Sequence, residues 1–216
     1  AIEQILPRGW HTYYKNPGKA GYPLSLTWQA PTGFQIGAIQ WPEPSVHLTG
    51  SVETYGYHDR WVGLVDIIAP STVFNGETYT LNLKAKWLIC DEVCVPESES
   101  YEIEFIGGPT AKKTRHARQI QAWKSQIPEH RSGPTFSRVD DTIQIAIPKG
   151  LATQIKTATF FPDTDGMVES ITPTRITETQ SSTILQFDPG HQAVRGVLSG
   201  LYVLDTGQGK QVFSST

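Results

Sequence analysis

The stretch Thr78–Trp87, TYTLNLKAKW, alternates apolar and polar residues along its whole length. This period of two predicts a β-strand with one buried face. The residues on that face are Tyr79, Leu81, Leu83, Ala85 and Trp87. The run WLICDEVCVPE, residues 87–97, follows at once, so the chain's two cysteines, Cys90 and Cys94, lie where this strand ends.

In the rest of the chain, turn-forming residues separate short β-favouring runs, as is typical of an all-β protein. Nineteen glycines and fifteen prolines separate short runs rich in Val, Ile, Thr and aromatic residues. In the first half these runs predict strands whose spacing fits a β-sandwich. They cover residues 24–29, 36–40, 61–68, 78–88 and 100–105.

A helix and a second, smaller β domain are predicted behind this sandwich. Apolar residues recur at helical spacing among lysines and arginines in residues 110–126. After Pro128, β-favouring runs return at 142–147, 157–161, 183–187 and 200–204. The turn signal Gly107-Gly108-Pro109 sets the predicted boundary, giving domains of residues 1–108 and 109–216.

Composition excludes several classes of protein. With 38% hydrophobic residues and six tryptophans, the chain can build ordinary cores, and most of its aromatic residues are expected there. No run of 18 apolar residues predicts a membrane span. The start at Ala1 reads as a mature or trimmed product. The net charge of −3 argues against binding to nucleic acid. The basic residues of the predicted helix fit the solvated face of an ordinary amphipathic helix.

No motif for a cofactor or metal stands out. Gly207-Gln208-Gly209 predicts a hairpin turn, since the glycine pattern stops there and lacks a βαβ unit. The six histidines lack metal-ligand spacing and are expected to be solvated or to cap backbone groups.

The cysteine pair is the most chemically informative feature. A disulfide that closes so small a loop would stabilise the fold by roughly 2 kcal/mol, which a chain of 216 residues hardly needs. Two thiolates also lack the third and fourth ligands of a closed zinc site. The residues favour a redox pair, with a structural bond and a metal site as alternatives.

Four segments, in this order, resemble the N-terminal periplasmic domain of DsbD-like thiol:disulfide interchange proteins. They are LPRGWHTYYKNPGKAGYP (6–23), IQWP (39–42), TYGY (54–57) and WLICDEVCVPE (87–97). The three-residue gap between the cysteines and the extra β region resemble the ScsB branch, which is linked to suppression of copper sensitivity.

The resemblance implies an immunoglobulin-like periplasmic module of an inner-membrane protein, with no cofactor. Electrons would come from cytoplasmic thioredoxin through a membrane domain, absent from this piece, and the thioredoxin-like domain of the same protein. The module would then reduce periplasmic thioredoxin-fold proteins such as ScsC-like isomerases. Cys94 would form the mixed disulfide and Cys90 would resolve it.

The resemblance also implies a cap that shields the sulfurs, matched here by Glu53, Thr54, Tyr55, Gly56 and Tyr57. Thr54 stands where DsbD has phenylalanine, so shielding is assigned to Tyr55 or Tyr57. The nearby carboxylates of Asp91, Glu92 and Glu97 disfavour a thiolate, which suits a relay better than a strong oxidant. Two other functions stay open: an immunoglobulin-like binding or assembly module with a structural disulfide, and a copper-handling protein.

Overall fold

The computed structural model describes residues 1–110, 113–192 and 198–216. Its backbone contacts divide the chain into two compact units, Ala1–Ile127 and Pro128–Thr216. The architecture is all-β, as predicted: an immunoglobulin-like unit with one short helix, and a second β unit.

The described residues of the first unit form ten strands and one helix. They are β1 (Ile2–Ile5), β2 (His11–Gly18), β3 (Ser25–Gln29), β4 (Gln35–Ile36), β5 (Ser45–Thr49), β6 (Val52–His58), β7 (Arg60–Gly63), β8 (Ile67–Ile68), β9 (Thr78–Cys90), β10 (Cys94–Ile106) and α1 (Ala117–Lys124). The main sheet has the order β10-β9-β2-β6-β5, and β3 also pairs with β9. Two small sheets pair β1 with β7 and β4 with β8.

The long hairpin β9–β10 confirms the alternation read from the sequence. Leu81, Leu83 and Ala85 are buried, while the polar residues between them are exposed. The two strands pair antiparallel from Thr78 opposite Ile106 to Cys90 opposite Cys94. The hairpin therefore carries the cysteine pair at its closed end.

A stack of aromatic rings lies in the interior of the same unit. The Trp61 ring stacks on Tyr57 and Trp41, with centroids 4.5 and 5.0 Å apart, and Tyr14 meets Trp41 edge-on at 5.8 Å. Stacked and edge-to-face pairs of this kind add to the free energy gained from burial alone. The expectation that these aromatic residues form core is confirmed for Tyr14, Tyr57 and Trp61.

The second unit consists of two four-stranded sheets. Its strands are β11 (Glu129–His130), β12 (Thr135–Val139), β13 (Thr142–Pro148), β14 (Ile155–Pro162), β15 (Arg175–Glu178), β16 (Ser182–Phe187), β17 (Gly200–Thr206) and β18 (Gly209–Ser215). The sheet orders are β11-β18-β17-β14 and β12-β13-β16-β15. A shared core includes Ile143, Ile145 and Phe160. The turn predicted at Gly207-Gln208-Gly209 joins β17 to β18, with Thr206 opposite Gly209.

Several predicted boundaries differ from the structure. The 36–40 run contributes to the short strand Gln35–Ile36 and to an isolated bridge between Gln40 and Leu64, and the 61–68 run is divided into β7 and β8. The helix predicted at 110–126 begins at Ala117, and it buries none of its residues. The backbone contacts group this helix with the first unit, where the Arg60 guanidinium lies 6.0 Å from the centre of the Trp123 ring. Among the described residues, no helix is long and apolar enough to span a membrane.

Strand β6 packs against β2 without room for a side chain at one position. Gly56 pairs with Tyr13, and a Cβ added to Gly56 would lie 1.8 Å from the carbonyl oxygen of Thr12. Any larger residue must therefore push the two strands apart.

We expect Gly56→Ala to lower the free energy of unfolding by about 1–3 kcal/mol, because the added methyl group overpacks a strand pair. Gly150→Ala is the matched control, since a Cβ at Gly150 would meet no atom within 4 Å. Urea unfolding of both variants measures the difference. Equal stabilities would show that β2 and β6 separate at little cost.

Candidate functional site

The two cysteines are held together by the backbone of the hairpin. Cys90 ends β9, Cys94 begins β10, and the pair forms a disulfide with its Cα atoms 4.1 Å apart. Residues 91–93 form the turn, in which the amide of Asp91 donates a hydrogen bond to the carbonyl of Val93 at 3.1 Å. The two cysteines therefore lie opposite each other across a tight turn.

The two sulfurs differ in access. Cys90 is only 2% exposed, whereas Cys94 is an exposed residue at the start of β10. A thiolate must approach a disulfide sulfur directly in order to exchange with it. A thiol on another protein can therefore approach Cys94, while Cys90 is shielded.

Tyr13 contacts the buried sulfur. Its hydroxyl lies 2.9 Å from Cys90 Sγ, to which it donates a hydrogen bond, and 3.9 Å from Cys94 Sγ. Burial raises the pKa of Tyr13, so the phenol keeps its proton. Gly21 lies against the ring, because a Cβ there would be 2.1 Å from the nearest ring carbon. Tyr13 lies within the 6–23 motif, but its contact with the sulfur was not predicted from the sequence.

The residues matched to a cap lie along β6, beside β2. The Tyr55 hydroxyl donates to the Glu53 carboxylate at 2.8 Å, and the Tyr57 hydroxyl donates to the carbonyl of Pro42 at 2.9 Å. Thr54 is buried, and Gly56 lies directly opposite Tyr13. The segment thus supports the strand that carries Tyr13, and its shielding of the sulfurs stays a prediction.

A shallow groove of about 380 Å³ lies along the hairpin. Its lining includes the pair Leu88 and Pro96 and the pair Lys86 and Ser98, which follow the cysteine pair at two-residue steps. These four residues therefore share the face of the cysteines. Exposed Tyr22 also lines the groove, as do Trp87 and Glu97 from the alternate positions of the hairpin.

Three histidines cluster on the strands next to Cys90. His11 on β2 pairs with both Cys90 and His58, while His47 comes from β5. The His47 and His58 rings lie 3.9 Å apart between centroids, and the His11 ring lies 5.3 and 5.9 Å from them. His11 and His47 are buried, so the expectation of solvated histidines is wrong for these two, although His47 does hydrogen-bond the Gly56 backbone. The cluster is visible only once three strands are adjacent, which no local spacing reveals.

The cluster is joined by contacts at hydrogen-bond distance. His58 Nδ1 lies 3.4 Å from the Trp10 carbonyl oxygen, and His58 Nε2 lies 2.6 Å from His47 Nδ1. The tautomer of each ring sets which nitrogen donates. His47 Nε2 is buried and has no hydrogen-bond partner among the described residues.

Burial also sets the charge of the cluster. It lowers the pKa of His47 to about 4, with further lowering from His58 and His11 and a smaller opposing effect from a hydrogen bond to the Gly56 backbone. Burial and His58 lower the pKa of His11, while Asp91 raises it. Both side chains are therefore neutral at pH 7. Within the described ranges, no group of three or more His, Cys, Asp or Glu side chains has the geometry to hold a metal ion.

We expect Tyr13→Phe to keep the fold and to make the Cys90–Cys94 bond slower to reduce. The departing Cys90 thiolate loses a hydrogen bond, which is worth about 1.5–3 kcal/mol when one partner is charged. The rate of reduction by dithiothreitol should therefore fall by roughly tenfold or more. Tyr101→Phe is the control, because that exposed tyrosine bonds to Glu99 instead. An unchanged rate for Tyr13→Phe would show that the contact does not assist the departing sulfur.

We expect the fold to lose stability as the pH falls from 6.5 towards 4. The pKa of His47 is about 4 in the folded protein against an ordinary 6.5, so in this window only the unfolded chain binds the proton. The loss should be roughly 1–3 kcal/mol. In His47→Gln the slope of unfolding free energy against pH should flatten, whereas in His130→Gln, an exposed histidine, it should not. Equal slopes in all three proteins would contradict the assignment.

The comparisons with known proteins agree with this geometry. The family described as "Thiol:disulfide interchange protein DsbD, N-terminal" matches residues 1–105. The crystal structure of the N-terminal periplasmic domain of ScsB from Proteus mirabilis is similar in fold, with a TM-score of 0.68 and 15% sequence identity. The alignment covers 98% of this chain and 84% of that one. No curated protein sequence matches the chain. Residues 1–105, the part of the chain that carries the disulfide, therefore match the family of DsbD N-terminal domains, and the chain shares the fold of the ScsB domain.

Proposed function

We propose that the first unit is a periplasmic relay for thiol:disulfide exchange. It accepts electrons from a thioredoxin-like domain and a membrane domain of the full-length protein, and it reduces periplasmic thioredoxin-fold proteins such as ScsC-like isomerases. The observation that carries the proposal is the division of the disulfide into an exposed sulfur, Cys94, and a buried sulfur, Cys90, that accepts a hydrogen bond from Tyr13.

Loading the relay takes two electrons from a donor dithiol. A donor thiolate attacks Cys94 Sγ, the Cys90–Cys94 bond breaks, and Cys90 leaves as a thiolate that receives the Tyr13 hydrogen bond and then a proton. The donor's second thiolate attacks its own sulfur in the mixed disulfide and releases Cys94. The donor ends as a disulfide and the relay as a dithiol.

Unloading runs through the same sulfurs in the opposite direction. The Cys94 thiolate attacks a partner disulfide and forms a mixed disulfide, and the partner's other sulfur leaves as a thiolate that is protonated. Cys90 then attacks Cys94, which restores the internal bond and releases the reduced partner. Exposure suits Cys94 to the first role and burial suits Cys90 to the second.

The surroundings of the pair support encounters with proteins. Leu88 and Pro96, which line the groove, lie on the same face of the hairpin as the cysteines, so an extended segment flanking a partner's cysteine can lie along them. A periplasmic location is supported by the fold of the ScsB domain and by the disulfide itself, since such bonds persist in oxidising compartments.

A purely structural bond is poorly supported by the geometry. The antiparallel ladder of β9 and β10 already aligns the two cysteines through thirteen residue pairs. A covalent link across its last pair restricts the unfolded chain over a very short loop, which gives the least stabilisation.

Trapping with single cysteine variants tests the assignment of roles. Cys90→Ser should form a lasting mixed disulfide with an oxidised periplasmic thioredoxin-fold protein, because Cys94 attacks and nothing resolves the product. Cys94→Ser should trap little, because its remaining thiol is buried. Non-reducing electrophoresis measures the mixed disulfide formed by each variant, and the double variant Cys90→Ser/Cys94→Ser is the negative control. Trapping by Cys94→Ser alone would reverse the roles, and trapping by neither variant would contradict the relay.

A redox titration of the wild-type protein separates the relay from a structural bond. A relay must exchange with a thioredoxin-like reductant, whereas structural disulfides typically have potentials below about −300 mV. Resistance to reduced thioredoxin together with so low a potential would identify the binding or assembly module instead.

A further inference from the structure

A buried imidazole lies directly across the strand from Cys90. His11 and Cys90 are paired residues of β2 and β9, and residues directly opposite each other hold their Cβ atoms about 5 Å apart on the same face. Tyr13, two residues further along β2, lies on this face as well and places its hydroxyl on Cys90 Sγ. The His11 and Tyr13 rings meet edge-on with centroids 5.3 Å apart.

The Cys90 thiol must lose its proton in a buried environment, whereas Cys94 is exposed. Only a thiolate is an effective nucleophile, and Cys90 must become one in order to release a partner bound to Cys94. Because Cys90 is 2% exposed, bulk water is a poor acceptor for its proton, and burial disfavours the charged sulfur. An acceptor on the same face of the sheet would remove this obstacle.

The groups around His11 suit it to that task. From β6 and β5, His58 and His47 face it, from β2 Tyr13 does, and from the hairpin turn Asp91 acts on it. Burial and the nearby His58 lower the pKa of His11, so its imidazole has a free lone pair at pH 7. The Asp91 carboxylate favours the imidazolium once a proton has arrived. Tyr13 cannot serve as the base, because its pKa is raised and the phenol is protonated.

A hydrogen-bonded pair of histidines lies next to His11. His58 contacts the Trp10 carbonyl oxygen and His47, and the buried His47 Nε2 has no partner among the described residues. A buried polar atom without a partner is costly, and it is often retained for a functional reason. This atom belongs to the cluster that contains His11.

We propose that His11 is the proton acceptor that activates Cys90 when the relay releases a reduced partner. The inference rests on the proposed function. In this step the Cys90 thiol gives its proton to an imidazole nitrogen of His11, and the sulfur attacks Cys94 Sγ. The bond between Cys94 and the partner breaks, and the partner's sulfur leaves with the electron pair and takes a proton from water. His11 then returns its proton to solvent.

The step can be followed without a protein partner by mixing the reduced protein with the chromogenic disulfide dithiobis(nitrobenzoate). Attack by Cys94 releases one thionitrobenzoate, and resolution by Cys90 releases the second. In the wild type, the second phase should slow in acid, as His11 becomes protonated, and level off near neutral pH. In His11→Gln it should be tenfold or more slower at pH 7, since a general base usually contributes 100-fold or more, and it should recover in alkali.

The control variant is His130→Gln, an exposed histidine of the second unit, which should keep the wild-type profile. A second phase of His11→Gln within twofold of the wild type at every pH would overturn the proposal. The relay itself would fail in a different way: the two phases with the small disulfide would persist, while exchange with thioredoxin-fold proteins would be absent.

If His11→Gln does not fold, the titration of His11 by NMR decides the matter in proteins that keep this residue. The His11 midpoint in the wild type is compared with the pH midpoint of the second phase. The two midpoints are expected to agree, because the rate falls as the acceptor becomes protonated. A second-phase midpoint more than about one pH unit from that of His11 would show that another group accepts the proton.

Discussion

The pairing of Cys90 with Cys94 at the closed end of one long hairpin is the constraint on which the site depends. Register fixes both residues on the same face, and the neighbouring strand β2 covers only the Cys90 side. One sulfur is therefore buried under Tyr13 and the other is left at the surface. A shift of the hairpin by one residue would turn the cysteines to the opposite face, away from Tyr13 and His11.

This asymmetry divides the chemistry between two environments. At Cys94, access decides which thiols and disulfides can react. At Cys90, the hydrogen bond from Tyr13 and the paired imidazole of His11 decide how readily the sulfur departs or returns. Burial that lowers the pKa of His47 and His11 also makes the unit sensitive to acid, so this arrangement carries a cost in stability at low pH.

The sequence predicted the parts of the fold that depend on local pattern. The alternation of 78–87 predicted β9, the apolar runs predicted most core strands of the second unit, and the four-segment resemblance predicted the family of residues 1–105. The sequence pattern did not predict strand β2, because Lys15, Asn16 and Pro17 are poor strand formers. It did not predict the histidine cluster either, because the three histidines come from β2, β5 and β6 and only the sheet order brings them together.

The central claim is that the fold makes one cysteine the point of contact and protects the other. Brief alkylation of the reduced protein with iodoacetamide, followed by fragmentation mass spectrometry of the peptide containing residues 90–94, measures the two reactivities side by side. Cys94 is expected to be modified at least tenfold faster than Cys90. Equal modification of the two cysteines, or faster modification of Cys90, would contradict it.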